Sequence, residues 1–413
     1  MQDTHICFLG GSNKVGSLSM LMDSGDKRFL FDYGMTPSKP PEFPMPAPPV
    51  DAVFLSHAHL DHSGMIPVLS ENGAIPFYME KITSALGQLL FKDSIKIARS
   101  EGYAIPFSSE EVKHVKQHVS AVTPSETLQF SDNIDIRFHS AGHIPGSLMI
   151  QINAEKNCLF TGDFNTQDTH LVSGTNPVPC DVLFMEGTYA GRNHPMNRVE
   201  LEKAFIDAIE DVVRRGGVVV LPSFAVSRSQ EIAMVLRKSG FNIWYDGMGK
   251  KVAKIFLKYP ETLRSPEELK KTLNQLKYVH SDHGRKLALE SDIILTSSGM
   301  MDGGPVLHYM NKLKNDPKSA VFLTGYQVEG TNSRLLMDHR KLDFYGVTEE
   351  VACQVEYFDF SGHAGHDELV EFAQECNPEQ IVLMHSDNRE ALKEPLQEIA
   401  DVMIPTNGET FTI

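Results

Sequence analysis

SHAHLDHSG, residues 56 to 64, sets His57, His59, Asp61 and His62 within six consecutive positions, directly behind the apolar run VDAVFL at residues 50 to 55. A short apolar run of this kind reads as a buried strand, and the four side chains stand where it ends. With 17 histidines in 413 residues, His-x-His-x-Asp-His arises by chance in about one chain in a thousand, so the pattern calls for a chemical reason. Side chains at i and i+2 share a face, which lets the strand end and the turn after it aim ligands at two adjacent cations. Imidazole nitrogen mixed with carboxylate oxygen suits zinc, and also manganese or iron.

Two cations need more ligands, and the right residue types stand at similar strand ends. His143 lies in SAGHIPGS after DIRFH, Asp163 in FTGDFN after NCLF, and His385 in VLMHSD after QIVL. Each alone is ordinary turn chemistry; their recurrence at strand ends is what makes a case. Two other matches to known spacings fail on inspection. HVKQH (His114 to His118) has two histidines at i and i+4 but no Glu behind the first, and GGSNKVGS (Gly10 to Ser17) has glycines at phosphate-loop distance but no lysine after the second. The first reads as a solvent-facing helix, the second as a loop between strands.

Around these points the chain is ordinary: 41% hydrophobic, 8% aromatic, formal net charge −16. That acidity argues against bulk attraction to nucleic acid while leaving room for a local basic cleft or bound divalent cations. Five scattered cysteines without a Cys-x-x-Cys pair fit neither a disulfide framework nor a zinc ribbon, and point to a reducing cytoplasm. The start MQDTHICFLGG lacks the basic region and apolar core of a signal peptide, and no run reaches membrane-span length. The first half alternates short apolar strands with turns, and KPPEFPMPAPP (residues 39 to 49) reads as a proline-rich extended loop. From about residue 192 strands alternate with helices, the signature of a parallel α/β sheet, and after about 350 the histidine-ended strands return. The expected layout is residues 1–191 and 351–413 as one domain, interrupted by an insert at 192–350.

The ordered set FDYG, HAHLDH, AGHIPGS and FTGDFN resembles the metallo-β-lactamase superfamily, whose fold is a four-layer αββα sandwich with metals at one edge. EGTYAGRNHP at Glu186, FDFSGHAGHDEL at His363 and IVLMHSD at His385 resemble motifs A, B and C of its β-CASP nuclease branch, which carries an inserted α/β β-CASP domain. The likeness covers almost the whole chain and is nearest to the short archaeal homologues, without a KH region, of the nuclease subunit of the cleavage and polyadenylation specificity factor; RNase J is related. Motif B usually reads His-Ala-Asp, whereas Gly365, His366 and Asp367 follow Ala364 here. Motif C usually reads His-Gly-Glu; here it is His385, Ser386, Asp387.

The resemblance implies two divalent cations, zinc first and manganese as alternative: one on His57, His59 and His143, the other on Asp61, His62 and His385, with Asp163 bridging and Asp32 orienting a ligand histidine from behind. It implies hydrolysis of single-stranded RNA by metal-activated hydroxide, leaving 5′-phosphate and 3′-hydroxyl ends. His363 is the candidate acid for the leaving oxygen, with Glu186 holding its imidazolium and Asp61 beside them in the catalytic set. RNA is expected over DNA because a histidine at motif C, His385, marks the RNA-directed members. In the insert, Arg228, Arg334 and the Ser297-Ser298 turn are candidates for RNA contact. The Ser361-Gly362 loop resembles the RNase J grip on a 5′-monophosphate, so both endonucleolytic and 5′-to-3′ exonucleolytic action are expected options. A homodimer or an RNA-processing or decay complex are the partners the family suggests. The rivals are a metallo-β-lactamase-fold hydrolase of a small substrate and a non-catalytic RNA-binding subunit.

Overall fold

The computed structural model describes residues 4–38 and 40–413, and of residues 71 and 72 the backbone only. Residues 1–3 and Lys39, the expected start of the proline-rich loop, lie outside the described residues. Two compact units emerge. The first comprises residues 1–168, 173–193 and 362–413, the second residues 169–172 and 194–361.

The first unit is built on two seven-stranded sheets. One runs in the order Thr410–Thr412, His5–Gly10, Ser19–Ser24, Lys27–Phe31, Ala52–Phe54, Phe77–Met79, Val119–Ala121; the other in the order Asp401–Met403, Gln380–Met384, Val182–Glu186, Asn157–Phe160, Leu148–Asn153, Ile134–Ser140, Thr127–Ser131. Alternation along each strand decides which face goes where. In KRFLF, Phe29 and Phe31 turn inward and Leu30 turns outward. The inward residues of both sheets form one core. Phe31 and Phe54 stack with centroids 5.4 Å apart, and across the sheets Phe31 meets Phe160 at 5.3 Å and Phe54 meets Phe138 at 6.3 Å. Full burial of each such ring contributes about 1.5–3 kcal/mol.

The outward faces are covered by helices. Leu30, Val53 and Phe77 pack with Phe91 and Ile95 of helix Lys81–Glu101 and Val112 and Val115 of helix Ser109–Gln117. On the other sheet Leu183, Met185 and Leu383 pack with Leu369 and Phe372 of helix His366–Cys376 and Leu392 and Leu396 of helix Glu390–Gln397. The result is the expected four-layer αββα sandwich. Lys27–Phe31 and Ala52–Phe54 run parallel in one sheet, Asn157–Phe160, Val182–Glu186 and Gln380–Met384 in the other. Their carboxyl ends therefore deliver Asp32, the His57 turn, Asp163, Glu186 and His385 to the site.

The second unit holds a six-stranded sheet in the order Lys277–Tyr278, Ile243–Asp246, Ile293–Thr296, Val219–Pro222, Ala320–Leu323, Gln354–Tyr357, every neighbouring pair parallel. Near-continuous apolar strands such as VVLP and IILT, buried at every position, are what helices on a parallel sheet require. A hairpin of Lys341–Phe344 and Val347–Glu350 stands apart from it.

Candidate metal centre

The site begins with a buried carboxylate. Asp32 is 0% exposed and accepts three bonds at 2.7 Å: from the Ser56 N–H, the Ser56 hydroxyl and His62 Nδ1. With Nδ1–H of His62 committed to Asp32, Nε2 is the atom left for a cation, 3.2 Å from Asp163 Oδ1. His143 is fixed in the same way: its Nδ1–H donates to the Gly362 carbonyl at 2.7 Å. Glycine at position 34 is a steric requirement of the FDYG turn, since a Cβ there would lie 1.6 Å from the Asp61 carbonyl oxygen.

Five imidazoles and two carboxylates converge in two clusters on this edge. His59 Nδ1 lies 3.1 Å from both His57 Nε2 and His143 Nε2. Adjacent ligands on a tetrahedral cation bound at about 2.0–2.1 Å stand roughly 3.3 Å apart, so this spacing suits three nitrogens on one ion better than a chain of hydrogen bonds. Asp163 Oδ2 sits 3.7 Å from His57 and His143, while Oδ1 faces His62 and, at 3.7 Å, His385. One carboxylate thus offers one oxygen to each of two clusters, the second completed by Asp61, 3.7 Å from His385. The buried atoms His59 Nε2, His62 Nε2, Asp163 Oδ1 and both ring nitrogens of His385 have no hydrogen-bond partner. Leaving such groups unsatisfied costs about 1–3 kcal/mol each; two divalent cations, drawing on the lone pairs among these atoms, fit the donor set.

Electrostatics point the same way at the first cluster. Burial, reinforced by crowding among the imidazoles, holds His57, His59 and His143 below the ordinary histidine range, which keeps lone pairs free. Burial also opposes charge on His62, but Asp163 and Asp32 outweigh it and raise that group. For Asp61 and Asp163 burial favours the acid, yet the histidines around them hold both below the usual carboxylate range.

Beside the clusters stands a second device. Glu186, fully buried, accepts from the Phe164 and Thr188 N–H groups and from His363 Nδ1 at 2.8 Å. His363 Nε2 is left facing Asp163 Oδ2 at 4.0 Å. Burial lowers the basicity of His363, but Glu186 and Asp163 reverse this and push it up to about 9.

Each expected ligand, together with His363, Glu186 and Asp32, is therefore drawn to one edge of the first unit. Arg228, Ser297, Ser298, Arg334 and Ser361 belong to the second unit, and Gly362 to the first. Arg334 pairs with Asp338 at 2.7 Å, four residues on along its helix, the internal salt bridge that competes with RNA contact. The Ser297 hydroxyl accepts from the Met248 N–H at 3.2 Å, and the Ser361 N–H donates to Asp359. The atypical motif C residues have structural partners: Asp387 accepts from the Val15 N–H, Ser386 from the Asn388 N–H. HVKQH closes on itself, with His118 Nδ1 bonded to the His114 carbonyl.

Several contributors are missed by sequence reasoning. Ser56 links Asp32 to His57, its hydroxyl 3.1 Å from His57 Nδ1. Tyr189 stacks on His363 with centroids 6.1 Å apart, and Arg192 lies over Tyr189 at 4.7 Å. His366 and Asn193 clamp the loop after Glu186 to the loop after His363: Gly191 N–H donates to His366 Nδ1 at 3.0 Å, and Asp367 N–H to Asn193 Oδ1 at 3.0 Å. The atypical His366-Asp367 pair was the available signal. In the second unit His170, Glu202 and Glu231 also cluster, but Arg198 bonds both glutamates and fills the place of a cation.

Comparison with known proteins agrees with this geometry. Residues 13–213 match the metallo-β-lactamase superfamily, 229–336 the β-CASP domain, and 348–405 the zinc-dependent metallo-hydrolase RNA specificity domain. The chain is 35% identical, over 99% of its length and 100% of the relative, to the probable RNase MJ4 of Methanocaldococcus jannaschii. It is also 35% identical to RNase aCSPSF2 of Saccharolobus solfataricus, over 98% of this chain and 84% of that one. Identity to the transcription termination factor FttA of Pyrococcus horikoshii is 33%, over 93% of this chain and 66% of the relative. A crystal structure of a protein of unknown function from Enterococcus faecalis V583 shares the fold, with a TM-score of 0.63 at 16% identity, over all of both chains.

Proposed function

We propose, from the premise that this chain belongs to the β-CASP branch of the metallo-β-lactamase superfamily, that it is a ribonuclease that hydrolyses single-stranded RNA with two divalent cations. The observation that carries the reading is Asp163, one oxygen toward each histidine cluster, with the His363–Glu186 pair 4.0 Å away. His57, His59 and His143 would hold one cation, Asp61, His62 and His385 the other, and Asp163 both. Five imidazoles among seven ligands favour zinc, with manganese as the alternative. When bound, the cations lower the pKa of water and neutralise charge at the phosphodiester.

The protein's own contribution is the proton. With Nδ1–H held by Glu186, His363 presents Nε2–H toward the reacting phosphate and gives that proton to the departing 3′-oxygen. Glu186 holds the imidazolium before transfer and the ring orientation after it. Products are a 5′-phosphate and a 3′-hydroxyl. Asp32 and the Gly362 carbonyl keep His62 and His143 in the tautomers that leave Nε2 free. The RNases among its relatives support RNA as substrate, and the five free cysteines support a reducing, cytoplasmic setting.

The test incubates metal-stripped protein, reloaded with zinc or manganese, with 3′-labelled single-stranded RNA and its DNA counterpart, each with 5′-monophosphate or 5′-hydroxyl ends. Metal-dependent cutting of RNA, lost in His363→Ala, is expected. Internal cuts independent of the 5′ end mean an endonuclease; shortening only from the monophosphate end means a 5′-to-3′ exonuclease. Equal cutting with and without metal, or none of either polymer, overturns the proposal.

A further inference from the structure

The second unit carries a charge pattern that the hydrolysis does not use. Residues 250 to 286 contain ten Lys or Arg against four Asp or Glu, in a chain of formal net charge −16. Much of the excess stands on three neighbouring elements: Lys250, Lys251 and Lys254 on helix Gly249–Phe256, Lys277 on strand Lys277–Tyr278, and Arg285 and Lys286 on helix Asp282–Ala288. Lys250 and Lys254, four residues apart, share a helix face. Lys251, Lys254, Lys277, His280 and Lys286 are all exposed.

Where these elements meet lies a cleft of about 360 Å³, lined among others by Asp246, Lys250, His280, Ser281, Asp282 and Arg285. Buried Asp246 accepts from the Tyr309 hydroxyl at 3.0 Å and pairs with both Arg285 at 3.1 Å and Lys250 at 3.5 Å. One carboxylate thereby holds two cations in place. Asp282 on the rim, 3.4 Å from Arg285, is 92% exposed, and water screens it. Flat rings stand beside the charges: His280 stacks with Tyr278 at 6.3 Å, and Lys277 lies 5.9 Å from the Trp244 ring. Cations flanking exposed aromatic rings are the combination that grips single-stranded nucleic acid.

Topology places the cleft at a binding edge. It opens at the carboxyl end of strand Ile243–Asp246, which pairs in parallel with Ile293–Thr296, and the Ser297 turn that follows bonds Met248. The carboxyl ends of parallel strands are where α/β sheets take ligands. We propose that this cleft and the exposed lysines on the elements around it form a second RNA-binding site, holding phosphates and a base of the strand. The proposal rests on the ribonuclease reading. The exposed His280 ring and the half-buried Tyr278 and Trp244 rings beside the lysines favour RNA over an acidic protein segment, the other polyanion such a surface attracts.

The experiment uses metal-loaded protein bearing His363→Ala, so that RNA persists, with and without Lys254→Gln and Lys277→Gln. Both lysines are exposed and outside the Asp246 network, and thermal melting confirms folding. Binding of labelled single-stranded RNA is measured against salt for a short oligomer of about four nucleotides and for a longer one. The pair of substitutions is expected to weaken long RNA about tenfold and to flatten log K against log salt by about 1.4, about 0.7 for each phosphate contact on a single strand. The short oligomer keeps its affinity. An unchanged slope on long RNA overturns the proposal, as does loss of an acidic peptide's binding with RNA unaffected. If the protein with His363 intact cleaves RNA but the slope does not move, only this inference falls; if that protein neither binds nor cleaves RNA, the ribonuclease reading falls with it.

Discussion

Replacing Asp32 by Asn changes one atom of a buried carboxylate that belongs to neither ligand cluster, yet it is expected to weaken metal binding. Asp32 Oδ1 takes the Ser56 N–H, and Oδ2 takes the Ser56 hydroxyl and His62 Nδ1, all at 2.7 Å. An amide has two orientations. With its NH2 at the Oδ1 position, two donors face each other across 2.7 Å, so the NH2 turns to the Oδ2 position instead. There it donates to His62 Nδ1, and the imidazole proton moves to Nε2, the atom needed for the ion. Loss of such a supporting partner costs about 10–100-fold in metal affinity, or about 1.4–2.8 kcal/mol. The assay is competition of metal-stripped protein with a chromophoric chelator, resolving two binding events. Asp32→Asn should show its larger loss at the site that uses His62, and a smaller one at the His57, His59, His143 site, which Asp32 reaches only through Ser56. Two unchanged affinities, or a larger loss at the His57 site, would refute the reasoning.

Other consequences are separable. His363→Ala and Glu186→Gln should each slow RNA cleavage about 10²–10⁴-fold while metal content, read by mass spectrometry, stays at the parent's value; loss of metal in either would assign these side chains to the ligand set. Gly34→Ala places a methyl 1.6 Å from the Asp61 carbonyl; the backbone must move, and a loss above about 3 kcal/mol in denaturant unfolding is expected, against a negligible change if the turn is pliable. His170 is raised above its ordinary 6.5, chiefly by its bond to Glu202, with burial opposing and the Glu231 charge assisting. A raised histidine stabilises the fold fully below its unfolded pKa and ceases to do so as pH rises through its folded value. The Tm deficit of His170→Asn should thus be largest in mild acid and shrink at alkaline pH; a deficit that grows with pH contradicts the sign.

How much of this was legible in the chain depends on how local each device is. His57, His59, Asp61 and His62 are readable because one turn must supply several ligands. His143, Asp163 and His385 are each indistinguishable from turn residues until their strands are seen to end at one edge. The four layers were implied by the family motifs alone; in KRFLF the consecutive Phe29, Leu30 and Phe31 are all buried, Leu30 on the opposite face from the other two, so the run itself does not show which face is inner. Backbone partners leave no side-chain trace: the Gly362 carbonyl on His143 and the amides on Glu186 could not be read. Arg334 shows the converse, a cation in an RNA-like motif whose helix also supplies Asp338, four residues on. His366 announced itself only as a departure from motif B, and its role lies in the 3.0 Å bond from Gly191.

The central claim is that two cations share Asp163, and stoichiometric reloading tests it most directly. Metal-stripped protein would receive zinc in fractions of an equivalent, with cleavage of labelled single-stranded RNA and bound metal recorded at each step. Cleavage that rises steeply only as the second equivalent binds, and that Asp163→Asn abolishes, is the expected result. Full activity at one equivalent, or activity that survives both chelation and Asp163→Asn, would contradict the account.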